Sequence, residues 1–291
     1  MAKLLYVFYK ASLATVDRAI CVSYASKENT VLRAHIDPCR VEVIGNAIDS
    51  SQFAPRTAKP SSNNDLIIVF CGRLELRKGA DLLVQLIPLV CDRLKNAKFV
   101  IAGDGKKRPL LEEMIELHGL QQRVELLGNV SHQEVRNVLA RGDLFLNCSL
   151  TEAFCMAILE AASVGLFVVS TNVGGIPEVL PADMVSLAKP TVEDLLYAIL
   201  DAVPKTRVVD PKRNHERIAE LYNWKTVAEK TVCVYEKCLT EKSDPRNVLL
   251  RYQATCGLIW GKIFVLFWVI DWMFMKVLQW IDKKAIIFAR K

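Results

Sequence analysis

The chain has 291 residues, 52% of them hydrophobic, with 38 Lys/Arg against 32 Asp/Glu for a net charge of +6. That length suffices for one large or two modest domains with real cores. Basic residues are interleaved with acids, and no aromatic-basic stripe or zinc spacing occurs, which argues against nucleic acid as a partner; a basic balance beside an apolar C-terminal segment fits an anionic membrane surface better.

The N-terminal Met1–Lys10 is apolar but too short and interrupted for a signal peptide. Ala19–Val22 and Val41–Ile44 read as strands around a helix at Ser26–His35, the tail of one domain or its junction. Pro55–Asn64, rich in Pro, Ser and Asn, reads as a loop or linker. Beyond it, strands are predicted at Leu66–Cys71, Lys98–Ala102, Arg123–Leu127, Asp143–Asn147, Phe167–Thr171 and Met184–Leu187. Helices are predicted at Gly79–Leu94, Lys107–His118, His132–Arg141, Ala153–Val164 and Val192–Val203. Continuous apolar strands alternating with amphipathic helices specify an α/β, Rossmann-like parallel sheet covered on both faces. Ser131-x-x-Glu134 and Thr191-x-x-Asp194 have capping-box spacing. Asn214–Cys238 reads as further helix and Glu241–Asn247 as a charged break. The domain reading is therefore 1–54, 65–213, helices at 214–240 packing back on the first part, and an apolar segment at 257–281.

Leu258–Ile281 carries Trp260, Phe264, Phe267, Trp268, Trp272, Phe274 and Trp280 among aliphatics. As a helix it would be roughly 36 Å long, enough to cross a bilayer's hydrocarbon core. Lys262, Asp271, Lys276 and Gln279 interrupt it, so a spanning helix, a helix lying in the interface and a soluble core helix all stay open. Lys242, Arg246 and Arg251 before it and Lys283, Lys284, Arg290 and Lys291 after it leave orientation unfixed. The 9 cysteines form no CxxC pair or Cys/His cluster. Several sit in apolar runs, as reduced, buried thiols do, so the main body is expected to face the cytosol.

Most of the chemistry falls in Ser149–Glu160. Glu152 and Glu160 bracket a predicted helix start, and helical geometry would separate them by roughly 12 Å on nearly one side. The amides of Ala153, Phe154 and Cys155 lie between them, at an end where free N–H groups and the dipole favour phosphate. In one reading Glu152 grips a sugar, Glu160 a ribose and the helix end a diphosphate; in the other these are two solvated acids on an amphipathic helix. Gly72, Arg73 and Lys78 follow the strand Leu66–Cys71, Gly103-Asp-Gly105 follows the next strand, and Gly174-Gly-Ile-Pro-Glu178 follows Phe167–Thr171. Ligands collect at such strand ends, and the two cations would neutralise a departing diphosphate without a metal. Asp-x-Asp, the P-loop and an intact G-x-G-x-x-G are absent, which argues against a metal-dependent transferase, a P-loop enzyme and a dehydrogenase. His35, His118, His132 and His215 form no metal-ligand pair.

Together these loops resemble the donor half of retaining glycosyltransferases of GT-B architecture, whose signature is E-x7-E. Longer phrases at Ile20–Arg33, Ser149–Ser163 and Val173–Pro181 are similar to the N-acetylglucosaminyltransferases that begin GPI-anchor synthesis. The resemblance implies transfer of N-acetylglucosamine from UDP-GlcNAc to phosphatidylinositol, within a multi-subunit complex at the cytosolic face of the endoplasmic reticulum membrane. It implies that Arg73 and Lys78 bind the diphosphate, Glu152 the sugar hydroxyls, the backbone at Phe154, Cys155 and Met156 the phosphate, and Glu160 the ribose. Gly72 and Gly103 would let backbone approach the donor, no cofactor or metal is expected, and the donor's own phosphate would assist the incoming hydroxyl. Gly45 stands where that family commonly has Pro. The family also begins with a whole N-terminal Rossmann domain, of which Met1–Ser23 would be the last helix and strand. The chain is thus expected to be a short isoform, an incomplete gene model or a diverged paralogue. The alternative is a non-catalytic chain that binds the donor or scaffolds the complex.

Overall fold

The computed structural model describes residues 2–57, 65–240 and 245–289. Most of the expected linker (58–64) and the start of the expected charged break (241–244) lie outside the described residues, as do the side chains of Lys242, Arg246, Lys283, Lys284, Arg290 and Lys291. In chain order the elements are α1 (Ala2–Thr15), β1 (Ala19–Cys21), α2 (Tyr24–Ala34), β2 (Val41–Val43), β3 (Leu66–Cys71), α3 (Ala80–Arg93), β4 (Ala97–Ala102), α4 (Arg108–Leu117), β5 (Val124–Gly128), α5 (His132–Leu139), β6 (Leu144–Asn147), α6 (Met156–Val164), β7 (Phe167–Thr171), β8 (Val185–Ala188), α7 (Val192–Thr206), α8 (Pro211–Leu221), α9 (Trp224–Thr240), α10 (Pro245–Cys256) and α11 (Leu258–Ala289). They form two compact units, one of Val22–Ser26 with Ile44–Thr231, the other of Met1–Cys21, Lys27–Val43 and Val232–Lys291.

The larger unit is built on a six-stranded sheet in the order β5-β4-β3-β6-β7-β8, with every pairing parallel. Every residue of β6 and β7 is buried, which explains their unbroken apolar runs. Alternate strand residues feed opposite faces. Ile68, Phe70, Phe99 and Leu144 pack with Leu83 and Ile87 of α3 and Ile199 of α7 on one side. Val69, Val100, Phe145 and Val168 pack with Leu139 of α5 and Ile158 and Leu159 of α6 on the other. Each such aliphatic contributes roughly 1.5–3 kcal/mol by leaving water. Strand order reverses between β3 and β6, so the crevice beyond their carboxyl ends is the topological switch point.

Some sequence expectations need correction. The helix expected from Ala153 starts at Met156, because Cys155 takes a left-handed conformation (φ 73°, ψ 83°) that breaks the helical path. Glu152 therefore lies in a loop, and helical spacing does not set its distance from Glu160. Ser131 makes no reciprocal capping box: its Oγ donates to the Glu134 carboxylate at 2.7 Å instead of accepting a backbone N–H. Thr191 does cap, accepting from the Asp194 amide at 3.2 Å. The stretch 214–240 falls in α8 and α9: α8 packs on α6 within the larger unit, and α9 from Val232 onward belongs to the smaller unit with Met1–Cys21.

In the smaller unit β1 and β2 make a parallel pair whose Cys21 and Val41 pack with Ala34 and Ile36. Ala11 and Ala14 of α1, Val248 and Tyr252 of α10 and Phe264 of α11 form a second cluster, with Phe264 stacked on Tyr252 at 5.7 Å. The span Leu258–Ile281 is 24 residues long with mean hydropathy 1.7 and only 6% of its most apolar stretch buried, so it has the length and composition to cross a membrane. The helix runs on to Ala289, past the expected end at Ile281.

Candidate functional site

Three strand-end loops converge on Glu152. The loop after β3 turns through Gly79, whose φ of 73° favours glycine and where a Cβ would strike the Cys148 carbonyl. Its Arg77 carbonyl accepts the Leu150 amide at 2.9 Å. From the other side, the Gly175 amide donates to the Glu152 carbonyl at 3.0 Å, and a Cβ on Gly174 (φ 54°) would collide with that same oxygen. Close backbone approach explains the glycines of Gly174-Gly175.

Between these loops the Lys78 ammonium pairs with Oε1 of Glu152. The side chains are 22% and 9% exposed, so the pair is largely shielded from water. A polar chain supports it: Ser149 Oγ lies 3.0 Å from Glu152 Oε1 and 2.9 Å from Asn147 Oδ1, and Asn147 Nδ2 donates to Ser170 Oγ at 2.8 Å. Thr171 Oγ1 donates to the Ser149 carbonyl at 2.5 Å. Ser149, Ser170 and Thr171 are fully buried, so their polar groups need these partners. Both of these side-chain bonds to Glu152 fall on Oε1 and neither on Oε2. Sequence reasoning missed this chain, although Asn147 and Ser149 closing an otherwise apolar strand were its signal.

The remaining residues singled out in the sequence divide into two groups. Gly72, Arg73 and Gly103 come together with Asp104, Asn129 and Val130 around a cavity of about 180 Å³ at the carboxyl ends of β3 and β4. Gly103 (φ 141°) presses on Gly72, whose carbonyl a Cβ would strike. The Arg73 side chain is 62% exposed and its Nη1 lies 3.4 Å from Glu75; among the described residues no contact joins it to Lys78 or Glu152. Glu160, on α6, is 12% exposed and lies 3.8 Å from His132 Nε2. Burial pushes its carboxyl above the ordinary value, and His132 opposes that rise. Phe154 is buried and meets Tyr222 edge-on at 5.7 Å, which holds the backbone at 154–156 in place through its side chain. Gly45 faces the same ring: a Cβ there would stand 3.2 Å from it. Burial, with Glu152 adding, pushes the Cys155 thiol up to about 12, so it is no nucleophile at neutral pH. The structure supplies one more participant, Glu178, whose carboxylate holds the chain at Tyr24 and Ala25.

A parallel sheet with its switch point between β3 and β6, glycine-lined loops there and a supported cation-carboxylate pair define a Rossmann-like α/β domain. Residues 52–221 match the family of glycosyl transferases group 1. The chain belongs to that family. It is 50% identical over 270 residues to a phosphatidylinositol N-acetylglucosaminyltransferase subunit of Arabidopsis thaliana, covering 92% of this chain and 60% of that one. The Homo sapiens protein of the same name is 45% identical over 281 residues, covering 95% of this chain and 57% of that one. The chain thus spans about 60% of the length of these relatives. Among solved structures, sucrose-phosphate synthase from Thermosynechococcus elongatus superposes with a TM-score of 0.68 at 22% identity, over 79% of this chain and 60% of that one. Anabaena HepE in complex with UDP and glucose gives 0.66 at 20% identity, over 76% and 64%. The fold is the Rossmann-like parallel sheet of GT-B glycosyltransferases, as the sequence predicts.

Proposed function

We propose that this chain is the donor-binding part of an N-acetylglucosaminyltransferase that moves GlcNAc from UDP-GlcNAc to phosphatidylinositol, the first step of GPI-anchor synthesis. The observation that carries the reading is the shielded Lys78–Glu152 pair at the switch point, in a chain 50% identical to a relative bearing that enzyme's name. Lys78 would take one edge of the diphosphate while Glu152 Oε2 takes sugar hydroxyls, so that one contact orients both groups. The amides of Met156 and Ala157, at the start of α6, would receive a phosphate with the backbone at Phe154 and Cys155. Arg73 would leave Glu75 for the diphosphate, Glu160 would accept from the ribose, and Gly72 and Gly103 would admit the nucleoside to the adjoining cavity.

In the transfer, the acceptor hydroxyl oxygen bonds to the sugar's anomeric carbon as the bond to the diphosphate oxygen breaks, and the hydroxyl proton passes to the departing phosphate on the same face. The cations stabilise the charge that develops there, and no resident metal or cofactor is required by this arrangement. The apolar helix α11 would hold the chain at the endoplasmic reticulum membrane with the larger unit in the cytosol, beside the other subunits of a complex.

A second reading, donor binding or scaffolding without transfer, is favoured by one observation: the Arg73 side chain is 62% exposed and engaged with Glu75. UDP-GlcNAc affinity and GlcNAc-phosphatidylinositol formation, measured on the chain and on Glu152→Ala, Glu160→Ala and Arg73→Ala, separate the two. Loss of Arg73 should weaken the donor by about 1.5–3 kcal/mol. Unchanged affinity in all three variants would remove the site, and tight donor binding with no product would establish the second reading.

A further inference from the structure

The smaller unit holds a cavity of about 380 Å³ whose lining includes Leu13 of α1, Ile36 and Arg40 after α2, and Leu250, Arg251 and Thr255 of α10. Arg40 donates from Nε to the Asp17 carbonyl at 3.0 Å, but its buried Nη2 has no hydrogen-bond partner among the described residues. Among the described residues Arg251 reaches the Val16 carbonyl, at 3.5 Å. Neither guanidinium makes an ion pair among the described residues. Asp37 also lines the cavity, but its Oδ1 is engaged by the Cys39 amide at 2.9 Å. Burial first and the Arg251 charge second hold Arg40 below its ordinary value, against Asp17 and Asp37 and with Arg18 adding.

Buried donors are normally satisfied, and two neighbouring guanidiniums lower their repulsion by sharing an anion. The planar forks match phosphate oxygens in particular. Leu13, Ile36 and Leu250 give the same cavity an apolar side, as an amphiphile would need. Its α10 wall ends at Cys256, and after Gly257 the chain enters the membrane-length span Leu258–Ile281. We propose that this cavity binds a phosphoryl anion carried on a membrane lipid, gripped by Arg40 and Arg251. The site is separate from the Lys78–Glu152 site and does not depend on donor binding.

The test uses the full chain in phosphatidylcholine nanodiscs, where choline offsets each phosphate, and in discs that also contain phosphatidic acid. The thermal midpoint should rise with phosphatidic acid. Arg40→Gln and Arg251→Gln should each weaken that response by at least about tenfold in lipid concentration, as loss of a charge-assisted bond implies. Lys230→Gln removes an equal charge from an exposed position of α9 and should leave the response intact. If Arg40→Gln fails to fold, Arg251→Gln alone decides. No rise, or an equal rise in the arginine variants, overturns the site; an equal rise with inorganic phosphate in phosphatidylcholine discs overturns the lipid assignment; equal weakening by Lys230→Gln reduces the effect to bulk charge and overturns it too.

Discussion

The backbone N–H of Tyr24 donates to the Glu178 carboxylate at 2.6 Å, joining positions 154 apart in the sequence. Ala25 donates to the other oxygen at 2.9 Å, and Ser23 Oγ accepts the Ser26 amide at 3.1 Å. A negative carboxylate thus occupies the positive start of α2, where orphan N–H groups and the dipole both favour it. Glu178 closes the loop whose Gly174 and Gly175 press on Glu152 and Ala153, so the same carboxylate fixes the site's wall.

Glu178→Gln keeps the shape but turns one acceptor oxygen into a donor facing an N–H. It should lower stability by about 1 kcal/mol in urea unfolding, the scale of a lost helix cap. It should also weaken UDP-GlcNAc binding, because the loop against Glu152 is released. An unchanged urea midpoint would show that the two bonds contribute nothing.

Lys78 and Glu152 should couple. Removing either partner leaves a largely buried charge with nothing to balance it, so Lys78→Met and Glu152→Gln should each destabilise by about 1–3 kcal/mol. The double variant should cost clearly less than the sum, by roughly 1 kcal/mol or more. Donor affinity, in contrast, should be lost in all three. Simple additivity in a thermal or urea double-mutant cycle would show that the two side chains do not interact in solution.

The sheet was legible because its strands are unbroken apolar runs: Leu66–Cys71 and Phe167–Thr171 are found at the bounds the sequence predicts. The glycine loops were legible for a related reason, since Gly79 and Gly174 occupy left-handed backbone pressed against carbonyls. What stayed hidden depends on tertiary placement. Cys155 is no helix breaker by composition, yet the packing of Phe154 against Tyr222 draws the chain out of the helix before Met156. Likewise nothing in a one-dimensional pattern ties Lys78 to Glu152, a pair that exists only once β3 and β6 lie side by side, or Glu178 to Tyr24, 154 positions away in the sequence.

Thiol reactivity should follow burial. Burial pushes Cys148 and Cys155 up to about 12 and Cys71 up to about 11, with Glu160 adding to the rise at Cys71. Cys39 and Cys233 are exposed. Iodoacetamide near neutral pH, read by peptide mass spectrometry, should modify Cys39 and Cys233 first and Cys71, Cys148 and Cys155 roughly a hundredfold or more slowly, since only the thiolate reacts. Prompt modification of Cys155 in the folded chain would contradict the packing described around Phe154.

Glu160 should trade stability for binding. Its carboxyl titrates above the ordinary 4.5 because burial disfavours the charged form, and the opposing His132 does not cancel the effect. Below 4.5 both folded and unfolded chains hold the proton and no penalty exists. As pH rises from there through the raised folded value, the unfolded chain ionises more readily, and the folded state loses the stability that protonation gave it. Glu160→Gln carries no such charge. It should therefore match the parent near pH 4 and exceed it by about 1 kcal/mol at neutral pH, the scale typical of one altered buried group. UDP-GlcNAc affinity should move the other way, falling about tenfold in Glu160→Gln when a charged acceptor for the ribose hydroxyls becomes a neutral amide. Urea midpoints taken across that pH range, paired with calorimetric titration of the donor, read both effects; a variant no more stable than the parent at neutral pH would mean that Glu160 is better hydrated in solution than its 12% exposure implies.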